Sequence, residues 1–458
     1  MPSHARVVIA GLSGDSGKTL VSLGLLASWR RAGLSVAAFK KGPDYIDAAW
    51  LGWAAGGGAR NLDAWLMGDA AVRRSCAWHA READLTLIEG NRGLFDGLDS
   101  SGSASTAALA GLLDAPVILV LPVAKMTATA AALVRGCQAL DPGLRLAGVI
   151  LNRVASARQE QVAIAAIEGA CAVPVLGALP RLEDDLLPGR HLGLVTPAEH
   201  PRLTAVEARL AEIVDEHMDV PGIAAIARRA PALPVPAAPA TAGGHAVRIG
   251  YFHDSAFTFY YPENLEALAA AGARLEPISA LDDDALPPID LLYIGGGFPE
   301  THAAALSENR SLRAAVRAAA ARGLPIYAEC GGLMYLAETM RVGGRDYPMS
   351  GALPVTVEVT SRPQGHGYCE ATIDAPNPFF PVGTALRGHE FHYSRVVAGA
   401  AALPTAYAMT RGTGCGNGRD GLVAGNVLAS YTHLHAAGVP AWAQSLCRCA
   451  ARSRRTQA

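Results

Sequence analysis

The chain has 458 residues, about three times the commonest domain size, so two domains of roughly 200 residues each are expected rather than one core. Half of it is hydrophobic and 17% is charged, which excludes a disordered or coiled-coil chain. Thirty-nine Lys and Arg against 41 Asp and Glu leave a net charge of −2, without the basic excess that a nucleic-acid partner demands.

The first apolar run, residues 7–12, is shorter than a signal-peptide core and enters a polar glycine loop. The longest, residues 115–124, is broken by Pro116 and Pro122, whereas a membrane span needs about 20 residues. Eight scattered cysteines lack the density of a disulfide framework. A cytoplasmic chain with no membrane partner is expected.

Residues 6–10, 35–39, 85–89, 117–121 and 146–151 are near-continuous apolar runs of strand length, separated by alanine-rich helical windows. Strands buried on both faces belong to a parallel sheet covered by helices. At 228–244 Pro, Ala and Gly replace the pattern, as in an extended linker. Beyond it, 247–252, 291–294 and 324–327 read as strands, with 265–271 and 312–321 as helices. The expected architecture is α/β, with tandem domains at 1–228 and 246–458 joined by a linker at 229–245.

The first strand runs into Gly11-Leu12-Ser13-Gly14-Asp15-Ser16-Gly17-Lys18-Thr19, followed by a helical window at 20–31. Between strand and helix, Gly14 and Gly17 let backbone N–H groups approach phosphate, Lys18 can reach the terminal phosphates and Thr19 a magnesium ion. The strict phosphate-loop motif holds four residues between its glycines, and here Gly11 and Gly17 enclose five. Two acidic clusters end neighbouring strands at the same sheet edge: Lys40-Lys41-Gly42-Pro43-Asp44-Tyr45-Ile46-Asp47 and Glu89-Gly90-Asn91-Arg92-Gly93-Leu94-Phe95-Asp96-Gly97. Taken singly, each acid reads more readily as a cap or turn residue. Four of them beside one phosphate loop point to a nucleotide site, with Thr19 and Glu89 placed to hold Mg2+.

In the second half, a strand leads into Ala328-Glu329-Cys330-Gly331-Gly332 and a helical window at 333–338. A nucleophile on such a turn is lifted into a cleft, with the next N–H available for an oxyanion. Gly297, in Gly295-Gly296-Gly297-Phe298-Pro299-Glu300, can supply a second N–H beside that of Gly331. His433, in Ser430-Tyr431-Thr432-His433-Leu434-His435, can activate the thiol. A lone cysteine is usually a small core residue; the glycine setting and the histidine favour the nucleophile. His389-Glu390-Phe391-His392 spaces its histidines three apart rather than the four of a helical zinc site, and Cys447 and Cys449 read as packing or surface residues.

The Cys330 turn, the triple-glycine loop and His433 resemble the class I glutamine amidotransferase domain, which releases ammonia from glutamine through a thioester. That domain's usual third member is a glutamate two residues after the histidine. Here the place is held by His435, which leaves the group orienting His433 open. The first half resembles the dethiobiotin-synthetase type of ATP domain, and KKGPDYID, EGNRGLFDG, IGGGFPE, YAECGGLMYL, GHEFHYS and SYTHLH together resemble the cobyrinic acid a,c-diamide synthase family. The resemblance implies ATP- and glutamine-dependent amidation of acetate side chains on a modified tetrapyrrole through an acyl phosphate, with Mg2+ held by Thr19, Glu89 and Asp47, with Asp44, Asp47 and Asp96 as catalytic acids at the substrate carboxylate, and with Lys40, Lys41 and Arg92 as candidate contacts to that polyanion. It also implies that the two domains face each other across an enclosed ammonia path. In the stretches GLSGDSGKT, KKGPDYIDAAW and EGNRGLFDGLD the chain departs from the usual family pattern, which keeps sirohaem or a metal-sirohydrochlorin as an alternative substrate. A regulatory P-loop ATPase or a tetrapyrrole carrier are the other readings, and both leave Cys330 and His433 without a purpose. A homodimer is the common outcome for soluble enzymes.

Overall fold

The computed structural model describes residues 4–182, 186–190, 193–200, 202–234, 246–399 and 403–457. The chain divides into two compact units, Met1–Ala238 and Pro239–Ala458. Most of the expected linker, from residue 235 to 245, lies outside the described residues. None of the described helices is long and apolar enough to cross a membrane.

The first unit is built on a parallel sheet. Its strands are β1 (Arg6–Gly11), β2 (Val36–Lys41), β3 (Arg60–Leu62), β4 (Leu85–Glu89), β5 (Val117–Pro122), β6 (Leu146–Val154) and β7 (Val175–Pro180), in the spatial order β3-β2-β4-β1-β5-β6-β7. Val7, Val8, Ile9 and Ala10 are fully buried, as a central strand covered on both faces requires. The short β3 and the half-buried β7 escape a reading by apolar runs, because three residues and an interrupting glycine give too little pattern. Helix α1 (Lys18–Arg31) follows the phosphate loop, and α2 (Tyr45–Ala55) follows β2. The register pairs Ile9 with Glu89 and Lys40 with Glu89. Three strand ends therefore deliver the loop and both acidic clusters to one edge, the edge at which open α/β sheets bind ligands.

The second unit has a mixed sheet of ten described strands. Ala273–Ile278, Val247–Phe252, Leu291–Ile294, Ile326–Glu329 and Val427–Ser430 run parallel. Arg419–Ala424, Thr405–Arg411, Gly365–Ile373, Ala385–His392 and His433–Leu434 continue it antiparallel. Alternate residues face opposite sides: Leu292, Ile294, Ile326 and Ala328 enter one apolar cluster, and Leu291, Tyr293 and Tyr327 the other. Each fully buried Leu or Ile in these layers contributes about 1.5–3 kcal/mol. The strand expected at 324–327 runs two residues later, at Ile326–Glu329, because Pro325 has no N–H to donate and offers only its carbonyl, to Leu292. That shift carries the strand to the residue before Cys330.

Candidate functional sites

Gly17 sits at the start of α1 with φ +95, a conformation that favours glycine, and a Cβ there would lie 2.2 Å from Asn152 Nδ2. Asn152 Nδ2 donates to the Ser16 carbonyl at 2.9 Å, and the exposed Arg153 donates to the Asp15 carbonyl at 3.1 Å. This pair at the end of β6 braces the loop from outside. Neither residue is among the expected site residues, although two polar side chains ending a buried apolar run at the ligand edge are a usable signal.

Lys18 is buried, and its Nζ donates to the Ser13 carbonyl at 2.8 Å and the Arg92 carbonyl at 2.9 Å. Burial and the neighbouring Lys40 charge bring its pKa below the ordinary lysine range. Thr19 donates to Glu89 Oε1 at 3.0 Å. Glu89 is fully buried, its carboxyl raised by burial and by Asp47 against the pull of Lys40, and its Oε2 has no hydrogen-bond partner. Lys40 is 1% exposed and pairs with Glu89 Oε1 at 2.6 Å and Asp47 Oδ2 at 2.5 Å. Burial alone would favour a neutral amine, but the charges of Asp47, Glu89 and Asp44 outweigh it, so Lys40 stays protonated.

That placement corrects one expectation. Lys40 is committed to two carboxylates inside the domain and is not a surface contact for a polyanion. Lys41 is also buried, its pKa lowered by burial, whereas Arg92 is exposed. Asp44 caps α2, accepting from the Ile46 and Asp47 N–H groups at 2.9 Å each; burial, with Asp47 beside it, pushes its carboxyl up to about 7. Asp96 is exposed and accepts from the Gly93 N–H at 2.9 Å. Both acids thus carry a structural hydrogen bond at the ligand edge. Among the described residues no group of three or more His, Cys, Asp or Glu side chains is arranged to hold a metal.

In the second unit Cys330 has φ +47 and ψ −100, outside the relaxed left-handed well and worth about 1–3 kcal/mol of strain. Its surroundings impose that conformation. The Cys330 N–H donates to the Ser430 carbonyl at 2.7 Å, and a Cβ on Gly332 would meet the Ile294 carbonyl oxygen at 2.4 Å. A Cβ on Gly331 would lie 3.1 Å from the Gly297 nitrogen, so the two glycine backbones proposed as N–H donors come together. Glu329 pairs in register with Ser430, and Val427–Ser430 leads directly to His433.

His433 is buried, and its ring occupies the space beside Gly296, where a Cβ would stand 2.6 Å from Cε1 and 3.4 Å from Nε2. Asp420 holds the bend before it, accepting from Tyr431 N at 3.0 Å, Thr432 N at 2.9 Å and Thr432 Oγ1 at 2.8 Å. The other face of the ring stacks on His389 at 4.9 Å and 12°. His389 and His392 lie on a strand, where positions three apart face opposite sides; His389 Nε2 meets Tyr261 OH at 2.7 Å, and His392 stacks on Tyr431 at 3.7 Å. Glu329, absent from the expected site, places Oε2 3.6 Å from His433 Nδ1. An acid ending a buried strand demands a partner, and that was the signal available in Tyr327-Ala328-Glu329-Cys330. Cys447 and Cys449 are buried in the helix Trp442–Gln457.

Burial, then the Glu300 charge, pushes the Cys330 thiol well above the ordinary range. A raised pKa leaves the neutral thiol dominant at neutral pH, so attack requires a base. Iodoacetamide labelling of Cys330 without glutamine is expected to rise about tenfold per pH unit through pH 8–9, where an ordinary thiol of pKa near 8.5 levels off. A rate already flat by pH 8 would contradict this.

Two family models match. Residues 7–194 match the CobQ/CobB/MinD/ParA nucleotide binding domain and residues 248–440 the CobB/CobQ-like glutamine amidotransferase domain. The curated protein "Cobyrinate a,c-diamide synthase" of Magnetococcus marinus is 42% identical over 97% of this chain and 96% of its own length. The protein of the same name from Syntrophotalea carbinolica is 44% identical over 97% and 98%, and that of Methanothermobacter thermautotrophicus 38% over 97% and 99%. A partitioning ATPase would explain the first domain match and not the second. With this identity over nearly the whole length of both chains, the protein belongs to the cobyrinate a,c-diamide synthase family and is an ATP-using, glutamine-dependent amidating ligase.

Proposed function

We propose that this chain converts the a and c acetate carboxylates of cobyrinate to amides, consuming one ATP and one glutamine for each. The observation that carries the reading is a strained, buried Cys330 turn in one unit, joined to His433 through the Gly296-Gly297 loop that both approach, together with a phosphate loop in the other unit whose Thr19 bonds Glu89. The name shared by the relatives favours cobyrinate over sirohaem or a metal-sirohydrochlorin.

A carboxylate is a poor acyl donor, so its oxygen first attacks the γ-phosphorus of ATP, and the bond from that phosphorus to ADP breaks. Ammonia then attacks the acyl carbon and phosphate leaves. Loop N–H groups and the N-terminus of α1 hold the phosphates, and Lys18 turns its buried ammonium from loop carbonyls to the γ-phosphate. Phosphoryl transfer depends mostly on such positioning and charge. Glu89, whose Oε1 accepts from Thr19 Oγ1 and whose Oε2 is left without a partner, and Thr19 are oxygen donors suited to Mg2+, which binds through few protein ligands and the substrate's phosphates; the ion would neutralise phosphate charge there. Lys40 holds Asp47 and Glu89 in register, and we place Asp44, Asp47 and Asp96 as the acids facing substrate and metal.

In the second unit the Cys330 proton passes to His433 as sulfur attacks the glutamine amide carbon. The C–N bond breaks, ammonia leaves with that proton, and water hydrolyses the thioester. The N–H groups of Gly297 and Gly331 stabilise the intermediate oxyanion. The test is incubation with ATP, Mg2+ and glutamine against cobyrinic acid, sirohaem and nickel-sirohydrochlorin, read by mass spectrometry. Two amide substitutions on cobyrinic acid are expected; amidation of only the sirohaem-type substrates would overturn the assignment.

A further inference from the structure

When His433 accepts the Cys330 proton it becomes a cation in a site that is almost wholly buried, and an uncompensated buried cation is costly. His435, which occupies the position of the family's usual glutamate, cannot compensate it: burial lowers its pKa to about 4, so it is neutral at neutral pH. His389, stacked on the ring, is also neutral, held well below the ordinary histidine range by burial and by the two neighbouring histidines. Asp420 is occupied by the Tyr431 and Thr432 backbone and by the Cys415 thiol at 3.2 Å. Glu300 contributes its charge on the Cys330 side.

We propose that Glu329 is the positioning residue for His433, a carboxylate supplied from the strand of the nucleophile rather than from the segment of the histidine. The proposal rests on the reading of Cys330 and His433 as a glutaminase centre. Glu329 Oε2 lies 3.6 Å from His433 Nδ1, an ion-pair distance that sets an anion beside the ring and leaves Nε2 as the nitrogen to serve the thiol. The same carboxylate accepts the Leu434 N–H at 3.2 Å, so it fixes both the ring and the backbone that carries it. Tyr327 OH donates to Oε1 at 2.9 Å and Tyr293 OH to Oε2 at 3.3 Å. Burial, reinforced by the Glu329 charge, keeps both phenols protonated and therefore donating. The proton moves only between sulfur, His433 Nε2 and the departing ammonia.

The experiment compares wild-type enzyme with Glu329→Gln, full length, for glutamine hydrolysis across pH and for amidation driven by ammonium chloride. Glutamine hydrolysis is expected to fall about 10²–10⁴-fold, the range seen when a histidine loses its orienting carboxylate, with the ammonium reaction within twofold of wild type. Losing a neighbouring anion lowers a histidine's pKa, so the acid limb of kcat/KM for hydrolysis should move down by about one pH unit or more; a purely structural defect would leave it in place. Hydrolysis within threefold of wild type with an unmoved limb overturns the proposal. If Glu329→Gln also loses the ammonium reaction through misfolding, Tyr327→Phe decides: it should lose about tenfold or more in glutamine hydrolysis alone, the worth of one hydrogen bond to a charged group, and unchanged hydrolysis overturns the proposal. A wild-type enzyme without glutaminase activity would refute the glutaminase reading itself, which is a separate outcome.

Discussion

Cys330→Ala is expected to abolish glutamine-driven amidation, by about 10⁴–10⁶-fold, while amidation driven by ammonium chloride continues within about twofold of wild type. On the proposed mechanism the Cys330 sulfur becomes acylated, and Leu333, Met334 and Ile294 in the apolar cluster around it offer no nucleophile. Free ammonia bypasses that step. The substitution removes only Sγ and keeps the backbone, so the strained turn with its N–H bond to Ser430 should persist. A variant inactive with both nitrogen donors would show that the thiol does more than release ammonia.

Lys18→Met should give the complementary pattern. Removing a preorganised charge at the transferring phosphoryl group typically costs about 10²–10³-fold, and here the loss should appear with glutamine and with ammonium alike. Hydrolysis of glutamine in the absence of the other substrates should be unchanged, because Cys330 and His433 belong to a unit with its own sheet and core. Initial rates with each donor check this. A Lys18→Met enzyme that lost only the glutamine-driven reaction would contradict the placement of phosphoryl transfer at the loop.

How much of this was legible in the sequence follows from range of interaction. The phosphate loop is local: strand, glycines, lysine and helix are contiguous, and β1 and α1 lie where the apolar run and the helical window end. Lys40 is different. As the last but one residue of β2 it looked like a surface cation, and only the pairing of β2 with β4 buries it against Glu89. Glu329 was overlooked for a similar reason: its partner is 104 residues further along the chain, and the register that joins them runs through Ser430. The antiparallel strands between Gly365 and Ala424 carry mixed burial and many glycines, so neither alternation nor a continuous apolar run marks them.

Nitrogen released at Cys330 is expected to be consumed at the phosphate loop of the same enzyme. The most direct test supplies cobyrinic acid, ATP and Mg2+ with glutamine labelled by 15N in the amide, in the presence of unlabelled ammonium at a concentration too low to drive the reaction alone. A product heavier by two amide substitutions, both carrying 15N, is expected, with ADP and glutamate formed in step with it. A product whose amide nitrogen is unlabelled, or glutamate formation without labelled product, would contradict it.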